Sequence, residues 1–547
     1  MKNSSVKPAI INSGRIRSFR QRLPFIPVIV DVFYWVILFL SLSITTSSAQ
    51  SPVDIRNLFT DDAIPVEHAD RFGALPIQSH EGRIEPINTF SADILRKLHH
   101  SDKIGNLTSD RFLLSLLTMP ERWMHVPFIH LKNREISRRY GLPEKQIAYI
   151  EIFDENGDYR LARAVKAAFN KSPAERSKID KDILKLNEQV HIFSQLVSGD
   201  MLNLFPTGGE DHKWESDKEM LFRYLDKVRV AIHSGDWTEA GDALESIYDY
   251  QSQHTTIAID NRKLQAELHY NRLNIFNRCK KFYFLLGAHL LMFAVVYLFK
   301  KKKTIRTGIR IQVVLIMAAA AAHIYGIALR WYIAGYAPWS NAYETMTYVS
   351  LITVAGGLIF ARRSTITLAL ATLFAGVILF VSGLSRLDPQ ISPLVPVLKS
   401  PWLMIHVAVI VAAYGFFGIS LLLGVTNITI GTIWRRSRNM QLGSQTALLT
   451  TINELSLWAG LALMTAGTLA GAVWANESWG RYWGWDPKET WALITIIAYT
   501  VVLHLRQIKS CDRAIVLNIA SVLAFATVLM TYFGVNYYLT GMHTYAG

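Results

Sequence analysis

Five histidines, His289, His323, His406, His504 and His543, fall in or beside apolar stretches in the second half of the chain. An imidazole within a hydrocarbon layer is costly, so each is a candidate for chemistry, although a hydrogen-bonded packing role suits any one of them taken alone. The set gains meaning from the stretch Trp474 to Trp491, W-A-N-E-S-W-G-R-Y-W-G-W-D-P-K-E-T-W, which holds five of the 14 tryptophans within 18 residues. An interfacial aromatic belt is the plainer explanation, since Trp and Tyr favour that depth in any membrane protein. A belt, however, scatters its rings, whereas Trp479, Trp483 and Trp485 crowd one short loop with Gly480 and Gly484, and glycine lets a flat ligand approach the backbone. Such a shelf suits a porphyrin. His406 and His543 flank it, and two neutral imidazoles on opposite faces of a haem would fill both axial positions of its iron.

Asp486 suits an N-cap, Pro487 the first helical position and Glu489 the third residue of a capping box, so a helix is expected from about Pro487. The stretch therefore forms a lip between that helix and an apolar span ending near Val473. Apolar spans fall at about 282–299, 311–331, 345–361, 364–384, 402–424, 452–474, 489–508 and 514–534, each near the ~20 residues a bilayer requires. Lys300 to Lys303 with Arg306 and Arg310, then Arg362–Arg363, then Arg435, Arg436 and Arg438, then Arg506, Lys509 and Arg513 mark alternate connections. The positive-inside rule then puts 300–310, 361–364, 425–451 and 509–513 inside, and the lip and C-terminal tail outside. The fold class expected is a mainly α, polytopic helical membrane bundle with an exported, largely helical soluble domain.

Composition agrees. Half of the residues are hydrophobic and mean hydropathy is +0.20, which suits a membrane protein with a sizeable soluble part. The formal charge of +14 gathers at helix ends on one side, so it is a topology signal and nucleic acid is not an expected partner. Cys279 and Cys511 are not a C-x-x-C pair, which excludes this chain as its own thiol reductant.

Residues 1–50 combine a basic, acid-free start with an apolar run and T-T-S-S-A-Q-S, and serve as either a signal peptide or a membrane anchor. Residues 51–278 form the exported domain, with 11 of the 16 histidines lying before residue 275. Short extended pieces are expected over 64–98, with a helix from about Ser91. Helical spacing recurs over 172–197 and 214–278. S-G-D-W-T-E-A-G-D-A-L-E-S-I is similar to a tetratricopeptide helix start, in a single copy. His99, His100, His125 and His130 lack a metal-ligand pattern and are expected to be surface histidines.

W-G-R-Y-W-G-W-D-P-K-E-T-W resembles the tryptophan-rich WWD signature of haem-handling proteins of cytochrome c maturation. L-I-T-I-I-A-Y-T-V-V-L-H-L-R and the ending F-G-V-N-Y-Y-L-T-G-M-H-T-Y are similar to the CcsA (ResC) branch, the membrane half of the CcsBA cytochrome c synthase. The likeness covers roughly Gln312 to the C-terminus, within a haem-handling domain 279–547. It implies that His406 and His543 hold an external haem b and that His504, about 22 Å below the lip at ~1.5 Å per residue, shares an intramembrane haem. In the fused proteins a histidine of the other half completes that second site. Here His289, His323 or a separate ResB/CcsB-like membrane subunit is the donor considered, with His323 also fitting a packed helix histidine. Haem propionates need cationic partners, and Arg330, Arg386, Lys399 and Arg481 all fall on the outer side, with Arg330 and Arg481 preferred. Asn341 or Ser340 is expected to cap the helix after P-W-S-N, with Glu344 opposing its dipole.

The resemblance implies a haem lyase subunit that carries haem across a bacterial cytoplasmic membrane and presents it, at the periplasmic face, for thioether attachment to the C-x-x-C-H segment of apocytochrome c. Its partners would be the ResB/CcsB-like subunit, apocytochrome c, an external thiol reductant and the lipid bilayer. The alternatives are haem delivery without attachment, as in CcmC-type relatives, and a transporter or scaffold whose tryptophans only anchor it. Trp479, Trp483, Trp485, Asp486, Arg481 and Arg330 are the expected surroundings of the haem. No residue is required as acid or base.

Overall fold

A computed structural model describes residues 64–173, 175–209, 212–384, 387–394, 396–507 and 513–539. The N-terminal segment 1–50, Arg386 and His543 lie outside the described residues.

The soluble region opens with helix α1 (Val66–Gly73), the antiparallel pair β1 (Pro76–Gln78) and β2 (Ile84–Pro86), and helix α2 (Ile87–His99). The short extended pieces expected over 64–98 are β1 and β2, and the helix expected from about Ser91 begins at Ile87. Helix α1 was not expected and forms because His68, Ala69 and Phe72 bury on one face, a pattern of two turns that is too short to stand out. Helices α3 (Lys178–Val197), α4 (Lys218–Ser234), α5 (Thr238–His254) and α6 (Asn261–Leu273) follow the helical spacing of the sequence. Ser177 and Asp180 close a capping box at the start of α3, while α4 and α5 form a single hairpin. His100 and His130 pair at 4.5 Å between ring centroids, yet no group of three His, Cys, Asp or Glu among the described residues could hold a metal ion.

Eight helices among the described residues are long and apolar enough to cross a membrane. They are α7 (Ile275–Phe299), α8 (Lys303–Ala334), α9 (Ala342–Phe360), α10 (Thr365–Ser382), α11 (Pro401–Ser437), α12 (Met440–Trp479), α13 (Pro487–Leu505) and α14 (Arg513–Leu529). The last continues through a π-helical turn, Met530–Gly534, into one more helical turn, Val535–Tyr538. The α11–α12 hairpin is the broadest contact; α13 and α14 pack on it at one side, and α9 links it to α10, α7 and α8 at the other. Where α11, α12 and α14 meet, Asn453 donates to Asn518 at 2.8 Å and Ser420 donates to Asn453 at 2.5 Å. Such bonds join helices where lipid is as apolar as the side chains.

One expected loop is absent. Residues 425–451 are helical, because α11 runs to Ser437, Arg438 turns in the left-handed region (φ 53°) and Asn439 caps α12. Helices of 37 and 40 residues are roughly 55–60 Å long at ~1.5 Å per residue, against ~30 Å of hydrocarbon. Arg435 and Arg436 lie in the last turn of α11 and Arg438 is its C-cap, so the basic cluster sits at the tight turn between two helices and not in a long loop.

The soluble region is joined to the bundle by α6, which leads through Asn274 (φ 43°) into α7. Glu267 of α6 is buried and accepts both Nη atoms of Arg83, at 2.8 and 3.0 Å, and the Thr89 hydroxyl at 2.8 Å. Arg83 also pairs with buried Glu85.

Candidate functional site

The lip forms as the capping signals require. Asp486 caps α13 by accepting from Lys488 N at 3.0 Å, Pro487 is the first helical residue, and Glu489 reaches back to the backbone. Its carboxylate accepts from Gly484 N at 2.8 Å and from Asp486 N at 3.2 Å. These amides flank Trp485, whose φ of 56° lies in the left-handed region. A bulky residue holds that conformation at a cost of ~1–2 kcal/mol, and it persists only where the surroundings over-determine it. Glu489 supplies the restraint. Trp485 is thereby thrust outward, 70% exposed, with its ring edge-on to Trp483 at 5.8 Å. Trp479, at the end of α12, packs edge-on against buried Trp474 at 4.8 Å, and Gly480 turns the chain at φ 69°. Arg481 folds over Gly484, whose missing Cβ would meet its guanidinium at 2.9 Å. Asp486 itself is buried. Its carboxylate, expected among the residues facing a haem, is engaged in holding the lip.

His406 lies in the second turn of α11, against α12. Its Nδ1 is 2.7 Å from the carbonyl oxygen of Gly467. A carbonyl only accepts, so Nδ1 carries the proton and, in the neutral ring, Nε2 carries the lone pair. This is the tautomer in which metal-binding imidazoles are held by an outer partner. Gly471 lies beside the ring, eight residues before Trp479, which is about 12 Å along the helix axis. Ser400 donates to Glu477 at 2.8 Å and Trp339 Nε1 to the Met404 carbonyl at 3.0 Å, so the start of α11 is fastened to the lip end of α12 and to the P-W-S-N connection.

The other histidines differ. His504 Nδ1 bonds the Thr500 carbonyl at 2.8 Å and His289 Nδ1 the Leu285 carbonyl at 2.8 Å, each on its own helix. His504 is exposed on the bundle surface. His323 is fully buried, with Nδ1 3.1 Å from the Tyr283 hydroxyl and its ring edge-on to Phe276, surroundings that fit a packed helix histidine.

Arg330 departs from its expected role. Its Nε donates to Glu344 at 2.8 Å, Nη1 to the Pro389 carbonyl at 2.8 Å and the Tyr270 hydroxyl at 3.3 Å, and Nη2 to the Gln390 carbonyl at 3.1 Å. At 1% exposure it has no surface for a propionate. It clamps α8, α9, α6 and the 387–394 connection together. Asn341 is the cap of α9, accepting from Glu344 N at 2.8 Å, but Glu344 does more than oppose a dipole, being wholly buried as the partner of Arg330.

Sequence reasoning passed over Gly467 and Gly471. Their spacing of four in an apolar helix is the small-x-x-x-small signal of close helix approach, and it was available in the sequence.

A bundle of eight apolar helices among the described residues, with an imidazole held between two of them near the tryptophan lip, defines a multi-pass membrane protein. Residues 339–543 match the family model described as "Cytochrome C assembly protein". The chain is 34% identical over 242 residues to the cytochrome c biogenesis protein CcsA of Guillardia theta, covering 40% of this chain and 80% of that protein. It is 35% identical over 266 residues to CcsA of Porphyra purpurea, covering 40% of this chain and 82% of that protein. It is 37% identical over 493 residues to Protein NrfI of Wolinella succinogenes, covering 87% of this chain and 54% of that protein, so it spans about half the length of that relative. The chain belongs to the CcsA family of cytochrome c biogenesis proteins.

Proposed function

We propose that this chain carries haem across the membrane and presents it at the periplasmic face, where two thiols of a C-x-x-C-H segment add to its vinyl groups. The observation that carries the reading is His406, whose Nδ1 proton is taken by Gly467 so that Nε2 offers a lone pair below the tryptophan lip. Haem as cargo fits that donor chemistry, the exposed indole of Trp485 and the half-buried indole of Trp483. His543 is the second axial ligand, and Arg481, on the lip, is the propionate partner retained. The iron of a bound haem would accept the imidazole, and the porphyrin would supply the vinyl carbons. This chain's residues orient the ring, shield it from water and leave its edge open to the client. His504 holds haem on its way outward, completed by a ResB/CcsB-like subunit, and an external reductant keeps the client thiols reduced.

The test is co-expression with an apocytochrome in cells lacking other maturation factors, with and without a ResB/CcsB-like subunit. His406→Gly and His543→Gly are expected to abolish covalent haem attachment, with added imidazole restoring part of it. Normal cytochrome c yield in the double variant removes both from the ligand set. Haem release to a carrier without attachment identifies a delivery protein instead.

A further inference from the structure

Resting on the reading of His406 as a haem ligand, we propose that Gly471 and Gly467 of α12 are positioning residues that set the tautomer and the place of that imidazole. A Cβ at position 471 would stand 2.5 Å from both Cε1 and Nδ1 of His406, inside the van der Waals limit for either atom. Only glycine there admits the ring between α11 and α12. One turn earlier, a Cβ at Gly467 would meet Ile410 N at 2.9 Å and its Cα at 3.0 Å, so this second glycine lets the two backbones approach. That approach brings the Gly467 carbonyl to 2.7 Å from Nδ1. One glycine thus makes space for the ring while the other supplies the acceptor that fixes its proton, and both act through His406 without touching haem.

Packing and positioning can be separated because α12 carries a comparable contact elsewhere. A Cβ at Gly460 would stand 2.6 Å from the Phe417 ring, a similar clash with no histidine near it. Gly471→Ala improves helix propensity, and the group that must give way is a side chain, so the variant is expected to reach the membrane.

The experiment compares Gly471→Ala, Gly460→Ala and His406→Gly in the full-length protein purified in detergent. Haemin is titrated in, and absorption, low-spin electron paramagnetic resonance and midpoint potential are recorded. Thermal unfolding and acylation of His406 by diethylpyrocarbonate, read by mass spectrometry, are measured on haem-free protein. Gly471→Ala is expected to weaken haemin binding about tenfold or more, the range seen when the outer partner of a metal-binding histidine is lost. It should shift the ligand-field signature toward that of His406→Gly and change the acylation rate several-fold. Gly460→Ala should lose similar thermal stability and leave the spectra and acylation rate unchanged. If His406→Gly alters the haem signature but Gly471→Ala does not, the positioning role is wrong. If His406→Gly itself alters nothing, the ligand reading fails first. A Gly471→Ala protein that does not accumulate, while Gly460→Ala does, also overturns the proposal, because the glycine would then carry helix packing.

Discussion

His406, at the lip end of the bundle, gives its Nδ1 proton to Gly467 on a neighbouring helix, whereas His504, on the exposed surface of α13, gives its own to Thr500 one turn back. The first ring is tied to the bundle, so its Nε2 direction is set by the α11–α12 contact and cannot change without moving that hairpin. The second ring follows its own helix and faces outward. A ring fixed between helices suits a site that this chain builds for itself, and one left on an open face suits a site that a partner completes. At the lip end Arg330, Glu344 and Tyr270 tie segments together, while near His504 Arg506 pairs with Glu454.

The sharpest way to break this contrast is to replace each histidine and add imidazole. His406→Gly is expected to remove lip-end haem from the chain purified alone. His504→Gly should leave that haem in place and alter only a signal that depends on the partner subunit, read by absorption and haem stain. Equal loss from both would end the distinction. Next in size, Arg330→Met strands the Glu344 carboxylate in a buried setting, with an expected loss of about 3–5 kcal/mol in stability, and pairing it with Glu344→Leu should recover much of it. Thermal unfolding of the two variants checks this.

Glu489→Ala removes the carboxylate that pins Trp485, costing about 1 kcal/mol as cap losses do. Tryptophan emission should shift and lip-end haem loosen, with the His504 signal untouched. The smallest effect concerns pH. Burial pushes the Glu85 carboxyl up to about 7, with Glu267 and Asp93 adding to the rise and Arg83 opposing it. The folded protein therefore holds this proton more tightly than the unfolded chain, where the value is near 4.5. Its contribution to stability is complete below about 4.5, declines as pH rises to about 7 and is level above that. Glu85→Gln should flatten the slope of unfolding temperature against pH across that window.

What was legible in the sequence was local. The eight spans follow from length and apolarity, and the start of α13 from Asp486, Pro487 and Glu489, because a cap is decided within four residues. What was hidden depends on partners distant in sequence. Arg330 looked like an outer cation because its charge is visible and its burial is not; Glu344 and the carbonyls of residues 389 and 390 neutralise it only once α8, α9 and the connection meet. The helical run through 425–451 was masked because the basic cluster was read as a long loop, whereas Arg435, Arg436 and Arg438 occupy only the end of α11 and the tight turn into α12. Gly467 and Gly471 sat in a span read only for its hydrophobicity.

The widened turn at Met530–Gly534 has a directional effect. A π-helical turn admits one more residue than an α-helical one, and each residue of an α-helix advances the azimuth by about 100°. The side chains of Val535–Tyr538 are therefore rotated about the helix axis by roughly a quarter-circle from the faces that α14 would have given them. Removing a single residue from this turn would swing the faces of Val535–Tyr538 round the axis without altering their side chains, so which way they look is encoded in one surplus peptide unit.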